Sequence, residues 1–251
     1  MFVGHWLPGN LGEDRKNVGG LIKSFYEAFK NKPNAPALVL KTSGGTVSYV
    51  DKHNISEKIQ AIKESMDTTK LPNVYLVHGD LTEAEMNDLY NHPKIKAHVS
   101  FTKGEGFGRP LAEAALTNKP IIVSGWSGHL DFLLPESNCL VNGQLTNVHP
   151  SASWKGVINT DSKWFTISYG EAISYMKDVV KNYKSYLEKS RKNYHHIKTN
   201  FSFEAMTDKL GTILNSKIPD FPKQVELQLP KLKKTGESGA PKLQLPKLKK
   251  V

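Results

Sequence analysis

The sequence predicts an α/β protein whose core is a doubly wound parallel sheet with helices on both faces. Over residues 1–150, short apolar runs with the length of strands alternate with stretches whose apolar residues recur at helical spacing. The clearest helical stripe consists of Val18, Leu21, Ile22, Phe25 and Phe29. Strands and helices that alternate at this spacing are typical of βαβ units, in which the strands run parallel.

Each element follows from a local pattern. Strands are predicted at 2–3, 37–40, 74–77, 97–101, 120–123 and 139–141, and helices at 17–31, 55–66, 82–90, 110–118, 169–195 and 202–215. The helix at 82 opens with Thr-Glu-Ala-Glu, a capping box, and Pro110 lies near the start of its helix, where proline is favoured. Residues 143–168 show no regular period, and Trp154 and Trp164 are expected to anchor them. Ligands of such sheets bind at the carboxyl ends of the strands, so a site is expected in the loops that follow them.

The basic charge is concentrated at the end of the chain. The 251 residues carry a net charge of +10, of which residues 223–251, with eight Lys and two Glu, contribute +6. Leu-Gln-Leu-Pro-Lys-Leu-Lys-Lys at 227–234 recurs unchanged at 243–250. We therefore expect a folded domain at 1–218 and a disordered Lys/Leu/Pro-rich tail at 219–251. The repeats lack aromatic side chains that would stack on bases, so the tail favours a solubilising or docking role over nucleic-acid binding, which its charge leaves open.

Composition excludes several classes of protein. Hydrophobic residues make up 38% of the chain, enough to bury a core. No apolar run approaches 18 residues, which excludes a spanning helix, and the first residues do not resemble a signal peptide. A single cysteine, Cys139, excludes an intramolecular disulfide framework and a cysteine zinc site. A cytoplasmic location is the expectation.

The segment that carries chemistry is 101–113, Phe-Thr-Lys-Gly-Glu-Gly-Phe-Gly-Arg-Pro-Leu-Ala-Glu. Its glycines, Gly104, Gly106 and Gly108, lie between a predicted strand and a predicted helix and let backbone N–H groups approach a ligand closely. With the start of the helix they suit an anion such as a diphosphate, to which Arg109 would add a forked donor. The pattern is neither Gly-x-Gly-x-x-Gly nor a P-loop.

Two carboxylates, Glu105 and Glu113, flank this turn, and we place Glu113 in the first turn of the helix, where the helix dipole alone also favours an acid. The run Glu-Gly-Phe-Gly-Arg-Pro-Leu-Ala-Glu-Ala-Ala from Glu105, then Lys-Pro-Ile-Ile-Val at 119–123 and Gly-Trp-Ser-Gly at 125–128, resembles the donor-binding signature of retaining GT-B glycosyltransferases of group 1 type.

The resemblance extends along the chain from the first strand to about residue 215. Val-Gly at 3–4 and Glu-Asp-Arg-Lys-Asn at 13–17 resemble the first strand and charged turn of the donor domain, and residues 75–82 resemble the strand and loop that hold the nucleobase. It implies a Rossmann-like domain, one half of a GT-B fold, that transfers a hexose from a UDP- or GDP-linked sugar with retention. No Asp-x-Asp occurs in the sequence, in agreement with the metal independence expected of this architecture.

The resemblance also assigns roles to residues. Glu105 would contact hydroxyls of the transferred sugar, while Lys16 and Arg15 would neutralise the diphosphate leaving group. Glu113 would accept hydrogen bonds from the ribose hydroxyls. The remaining donor contacts are assigned to Gly106, Phe107, Gly108, Arg109, Leu111, His78 and Leu81.

Two departures from the family pattern shape the expectation. His5 stands where many members have Arg, a difference for which Arg15 would compensate. The resemblance begins at the first strand of the C-terminal, donor-binding domain, so we expect the acceptor, whose identity is open, to be bound by a separate partner of N-terminal-domain type. Two other functions remain: a non-catalytic nucleotide-sugar-binding or docking module, and a phage-type glycosyltransferase of DNA bases, which the basic tail alone supports.

Overall fold

The computed structural model describes residues 1–219, so the predicted tail from residue 220 onward lies outside the described residues. The first compact unit of the chain spans Met1–Leu210, and the sheet and the site described below belong to it. The strands are β1 (Phe2–Val3), β2 (Leu38–Lys41), β3 (Val74–Val77), β4 (His98–Ser100), β5 (Ile121–Ser124), β6 (Cys139–Val141), β7 (Gly143–Asn147) and β8 (Lys163–Ile167). The α-helices are α1 (Val18–Phe29), α2 (Tyr49–Glu64), α3 (Glu83–Asn91), α4 (Arg109–Ala115), α5 (Tyr169–Lys181), α6 (Tyr183–Asn200) and α7 (Phe203–Lys217).

The central sheet combines two sets of three parallel strands. β1 pairs with β2 and β2 with β3, while β4 pairs with β5 and β5 with β6. The amino group of Met1 donates to the carbonyl of Ala97 at 2.6 Å, and the N–H of Val99 donates to the carbonyl of Met1 at 2.9 Å. Such staggered bonds are those of a parallel pair, so the strand order is β3-β2-β1-β4-β5-β6. The order reverses between β1 and β4, the point at which open α/β sheets bind ligands.

Side chains that alternate along the strands fill two apolar clusters on opposite faces of the sheet. Phe2 and Ile122 belong to the cluster that α1, α2 and α5 cover. Met1, Ile121 and Val123 belong to the cluster that α3, α4 and α6 cover. Because neighbouring side chains of a strand point to opposite faces, this division shows that both faces of the sheet carry helices, as predicted.

Residues 143–168 contain an antiparallel hairpin that the sequence prediction missed. β7 and β8 pair along their whole length. A Cβ at Gly143 would overlap the carbonyl oxygen of Thr166, so the hairpin can start in this way only from a glycine. Phe165 and Ile167 are buried and alternate with partly exposed residues of β8, but five residues are too few for the period to stand out.

The predicted helix at 169–195 is two helices, α5 and α6, which are separated at Asn182. This residue has φ −112° and ψ 32°, and its side-chain amide donates to Asp178 Oδ1 at 2.6 Å. Asparagine side chains compete with the helical backbone in this way. The apolar period continues across the break, so the period alone predicts one helix. α4 begins one residue before its predicted start at 110 and ends at Ala115, three residues before its predicted end.

Helix α7 has an unusual surface, because none of its residues is buried. Its exposed apolar residues recur at helical spacing, at Phe203, Met206, Leu210, Ile213 and Leu214. Within residues 1–219, no helix is long and apolar enough to cross a membrane.

Candidate active site

The loops after β1 and β4 bring together the three side chains that were predicted to be catalytic. Arg15 and Lys16 lie between β1 and α1, and Glu105 lies between β4 and α4. Lys16 Nζ pairs with Glu105 Oε1, and Arg15 Nη1 lies 3.4 Å from Glu105 Oε2. The Arg15 guanidinium also donates to the carbonyl of Gly104 at 2.6 Å. β1 and β4 are adjacent parallel strands, so the loops that follow them lie at the same edge of the sheet. This explains why Arg15 and Lys16 meet Glu105 although they are distant in sequence.

The Glu105 carboxylate is held in its ionised form. Burial alone would raise its pKa, but the hydrogen bond and charge of Lys16, a hydrogen bond with Thr102 and the charge of Arg15 bring the pKa of Glu105 below its usual value. An ionised carboxylate only accepts hydrogen bonds, so it suits the hydroxyl groups of a ligand. The two cations outnumber this carboxylate, which leaves the three side chains with a net positive charge for an anion.

Buried polar groups fix the turn that carries the two cations. Asn17 adopts a left-handed conformation, with φ 53° and ψ 40°, directly before α1. Its N–H donates to the Asp14 carbonyl at 3.0 Å, and its Oδ1 accepts from the Tyr169 hydroxyl at 3.1 Å. The Asp14 carboxylate accepts from the N–H of Val18 at 3.5 Å, and burial raises the pKa of Asp14 to about 6. Asparagine is among the few residues that tolerate the left-handed region, which explains why an asparagine suits this position.

The loop from β4 to α4 offers free backbone donors next to Glu105. In residues 1–219, the N–H groups of Gly106, Phe107 and Gly108 have no hydrogen-bond acceptor. Gly108 has φ 86° and precedes the first residue of α4. A Cβ at Gly128 would overlap the carbonyl oxygen of Gly106, so the turn after β5 packs directly on this loop. Successive free N–H groups beside cations suit phosphate oxygens.

A cavity of ≈ 630 Å³ lies between α3 and α4 and contains three of the predicted donor-binding residues, Leu81, Arg109 and Glu113. Arg109 Nε donates to Glu113 Oε1 at 2.6 Å. Burial and the nearby Glu113 carboxylate raise the pKa of Tyr90, which also lines the cavity. Glu113 was predicted in the first turn of its helix. It lies in the second turn, because α4 begins at Arg109.

Other predicted donor contacts are placed differently. Leu111 is buried in the core, and its N–H donates to the carbonyl of Gly108 at 2.8 Å. His78 does not line the cavity, and its Nε2 lies 2.8 Å from Asp51 Oδ2. Phe107 is half exposed and packs on Phe132, with ring centroids 4.9 Å apart. The structure therefore does not bring Leu111 and the His78 ring to the cavity that holds Glu113.

Ser127 is a site residue that the sequence analysis missed. Its Oγ accepts from the N–H of Glu105 at 2.9 Å and donates to the carbonyl of Glu105 at 2.6 Å. The flanking glycines in Gly-Trp-Ser-Gly mark a tight turn, but nothing in the local pattern shows that the serine bonds to a residue 22 positions earlier. Lys103, almost fully buried with Nζ 3.2 Å from Glu13 Oε2, was missed for the same reason.

His129 supports the site as a buried ring. His129 is fully buried, and its Nε2 lies 2.8 Å from the carbonyl of Ser124. Burial lowers the pKa of His129, so the ring is neutral at pH 7 and supports the turn after β5. Over the described part of the chain, no three His, Cys, Asp or Glu side chains are grouped so that they could hold a metal ion.

Solved structures match the chain in fold, whereas no family model and no curated protein matches its sequence. The C-terminal domain of the glycosyl transferase group 1 family protein LpcC from Francisella tularensis has a TM-score of 0.54 at 13% identity, over 81% of this chain and 87% of that one. The catalytic domain of cholesterol-α-glucosyltransferase from Helicobacter pylori has a TM-score of 0.51 at 15% identity, over 80% of this chain and 96% of that one. HepE from Anabaena, solved with UDP, has a TM-score of 0.55 at 14% identity, over 86% of this chain and 48% of HepE.

These matches define the class of protein by its fold. The chain has the Rossmann-like fold of the C-terminal half of a GT-B glycosyltransferase, which confirms the predicted fold class. It spans about half the length of HepE and 35% of the length of TarM from S. aureus.

Proposed function

We propose that the chain is the donor-binding half of a glycosyltransferase that transfers a hexose from a UDP- or GDP-linked sugar with retention of configuration. Among the proteins of this fold, HepE was solved with UDP and with UDP-glucose, and TarM with UDP. The observation that carries the proposal is the convergence of Arg15 and Lys16 on Glu105 where the strand order reverses.

In this proposal Arg15 and Lys16 stabilise the leaving group. Cleavage of the bond between the anomeric carbon and the phosphate oxygen leaves negative charge on the diphosphate. Donors that are fixed where this charge develops lower the barrier by about 3 kcal/mol each, by analogy with oxyanion sites. The free N–H groups at 106–108 would bind the same phosphates. The protein's own cations then supply the positive charge, and no metal ion is required.

Glu105 would hold the sugar as a hydrogen-bond acceptor. Its two oxygens face Lys16 and Arg15, which keep it ionised, so it does not supply a proton to the leaving group. We therefore assign proton uptake to the departing phosphate, which would receive the proton of the acceptor hydroxyl. Attack from the side of the sugar that the phosphate leaves gives retention.

The cavity between α3 and α4 would receive the nucleoside. Its volume of ≈ 630 Å³ lies in the range of small-molecule sites. Arg109 bonds to Glu113 Oε1. The Glu113 carboxylate would accept hydrogen bonds from the ribose hydroxyls. Leu81 contributes apolar surface at the side of the cavity that faces the loop after β3.

A second half of GT-B type would bind the acceptor in this proposal. Catalysis requires that the acceptor hydroxyl is positioned against the donor. The chain covers 48% of HepE, which supports a second half in this proposal. The exposed apolar residues of α7, including Phe203, Met206 and Leu210, offer surface on which another domain can pack.

Isothermal titration with UDP-glucose and GDP-mannose in EDTA tests the donor site. Glu113→Ala should weaken binding of the preferred nucleotide sugar at least tenfold, because hydrogen bonds to a charged group contribute about 1.5–3 kcal/mol each. Glu27→Ala is the matched control, since Glu27 also lies on a helix and pairs with Lys30 at 2.9 Å. If Glu113→Ala binds like the unchanged chain, the ribose assignment is wrong.

Turnover separates the enzyme from a binding module. A chain that binds the nucleotide sugar but releases no nucleotide, alone or with an acceptor-binding half, would be a non-catalytic module. Release of nucleotide that depends on Lys16 would support the enzyme.

A further inference from the structure

The turn after β5 presents an aromatic side chain that is not among the proposed donor contacts. Trp126 is 44% exposed although its neighbours in the turn are fixed. One face of its indole stacks on Phe165, with ring centroids 5.9 Å apart and ring planes 12° apart. Phe165 is buried and covers one face of the indole, while nearly half of Trp126 remains exposed.

Hydrogen bonds tie this turn to Glu105. Ser127, the residue after Trp126, bonds through Oγ to both the N–H and the carbonyl of Glu105, at 2.9 and 2.6 Å. The N–H of Gly128 donates to the same carbonyl at 3.1 Å. Trp126 therefore lies one residue from a direct contact with the backbone of Glu105.

The backbone of Phe165, whose ring stacks on Trp126, is connected by hydrogen bonds to the loop that carries Arg15. The N–H of Phe165 donates to the carbonyl of Lys103 at 3.1 Å, and the N–H of Lys103 donates to the carbonyl of Arg15 at 2.7 Å. Backbone hydrogen bonds thus join strand β8, which carries Phe165, to the loops that carry Arg15 and Glu105.

The backbone of the turn is strained at the residue after Trp126. Ser127 has φ 92° and ψ −172°, a conformation that residues other than glycine rarely adopt. Such strain persists only where the surroundings impose it, and it is concentrated at ligand-binding positions. The two bonds from Ser127 Oγ to Glu105 are made in this conformation.

The exposed indole has the chemistry of a carbohydrate platform. A pyranose ring has one face of C–H groups and an edge of hydroxyls, and an aromatic face with its negative quadrupole attracts C–H groups. The indole N–H of Trp126 is a donor that can bond to a hydroxyl at the edge of the sugar. We propose that Trp126, stacked on Phe165, is the platform of a pyranose subsite beside Glu105.

This inference rests on the proposed function, in which Glu105 contacts sugar hydroxyls. Two sources of the pyranose share this chemistry: the hexose of the donor and a sugar of the acceptor. An experiment with one arm for each source distinguishes them.

The test is NMR of the indole N–H groups of the full chain. Its four tryptophans give four signals, and Trp126→Phe identifies that of Trp126. UDP and UDP-glucose are titrated in one arm, and the methyl glycosides of glucose, galactose and mannose in the other, with and without UDP. A Trp126 shift with UDP-glucose but not with UDP assigns the subsite to the donor hexose. A shift with a glycoside assigns it to the acceptor.

Affinities of the variants make the test quantitative. Trp126→Leu should weaken the sugar contact about 3- to 10-fold, as expected for one aromatic contact, and leave the affinity for UDP unchanged. Trp154→Leu is the matched control, because Trp154 is exposed and is the bridge partner of Ile158, outside the proposed site. Trp126→Phe should retain part of the affinity, and it replaces Trp126→Leu if that variant does not fold.

The outcomes separate this inference from the proposed function. If UDP binds but no sugar moves the Trp126 signal, or if Trp126→Leu binds sugars like the unchanged chain, the pyranose subsite is wrong and the donor site stands. If no nucleotide binds, the proposed function fails. The glycoside titration without UDP then decides the subsite by itself: a shift of the Trp126 signal supports it, and no shift overturns it.

Discussion

Glu105 shows how single side chains determine the character of this site. Its carboxylate is largely buried yet ionised, because Lys16 and Arg15 lie against it. Loss of one partner of a buried ion pair typically costs about 3–5 kcal/mol, so these residues hold the two loops together as well as binding an anion. The same arrangement keeps both cations in place before a diphosphate arrives.

Asp14 supplies a prediction at the same scale. Burial raises its pKa from the usual 3.8 to about 6, so the folded chain binds its proton more tightly than the unfolded chain. The contribution of Asp14 to stability therefore falls as pH rises from about 4 to 6, by about 3 kcal/mol. Asp14→Asn removes the titrating group. Its gain in the free energy of unfolding over the unchanged chain, measured in urea, should be larger by about 2–3 kcal/mol at pH 8 than at pH 4.

The control for this prediction is Asp67→Asn, because Asp67 is exposed and pairs with Lys30 at the surface. It shows how the loss of one surface charge alone changes the free energy of unfolding at the two pH values. An Asp14→Asn gain that is equal at pH 4 and pH 8 would show that Asp14 is ionised at little cost.

The sequence identified the charged residues of the site but not their partners. Arg15, Lys16 and Glu105 follow strand ends, and parallel strand ends share an edge, so their proximity was predictable. The bonds of Ser127 to Glu105 and of His78 to Asp51 depend on how loops from distant strands pack, which no local pattern encodes.

At the scale of elements, period and caps predicted most of the helices and strands. The capping box at Thr82, with Glu85 as its partner, was predicted and is present at the start of α3. The break at Asn182 was not predicted, because no glycine or proline marks it. The β7–β8 hairpin was missed because its pairing, not its local composition, defines it.

The cap of α3 gives a prediction for an element. Thr82 Oγ1 accepts from the N–H of Glu85, and the Glu85 carboxylate accepts from the N–H of Thr82 at 2.7 Å. Thr82→Ala removes the first of these bonds and should lower the free energy of unfolding by about 1 kcal/mol in urea.

The matched control is Thr207→Ala in the interior of α7, where the Thr207 hydroxyl bonds back to the carbonyl of Phe203 at 2.8 Å. Alanine has the higher helix propensity there, so this variant should be neutral or slightly stabilising. Equal losses in the two variants would mean that the cap contributes no specific stability.

At the scale of the whole molecule, strand order makes the site. The sequence predicted parallel strands with helices on both faces, but hydrophobic period does not specify which strands are neighbours. The hydrogen bonds that join Met1 to Ala97 and Val99 place β1 beside β4. That adjacency brings the loop of the cations to the loop of Glu105, and solved GT-B domains share the fold.

The central claim is that this edge of the sheet binds a sugar nucleotide through the protein's own cations. The most direct measurement is the thermal unfolding of the full chain with UDP, GDP, ADP and their sugar derivatives in EDTA. A ligand at 100 times its Kd stabilises by about 2.7 kcal/mol, which is about 5–10 °C in Tm for a chain of this size.

Lys16→Ala and Lys30→Ala are measured in parallel, because both lysines pair with acidic side chains but only Lys16 lies at the proposed site. We predict that nucleotides of one base raise the Tm of the unchanged chain and of Lys30→Ala by this amount, and that Lys16→Ala responds much less. The absence of a shift with every nucleotide, or an equal shift in Lys16→Ala, would contradict the account.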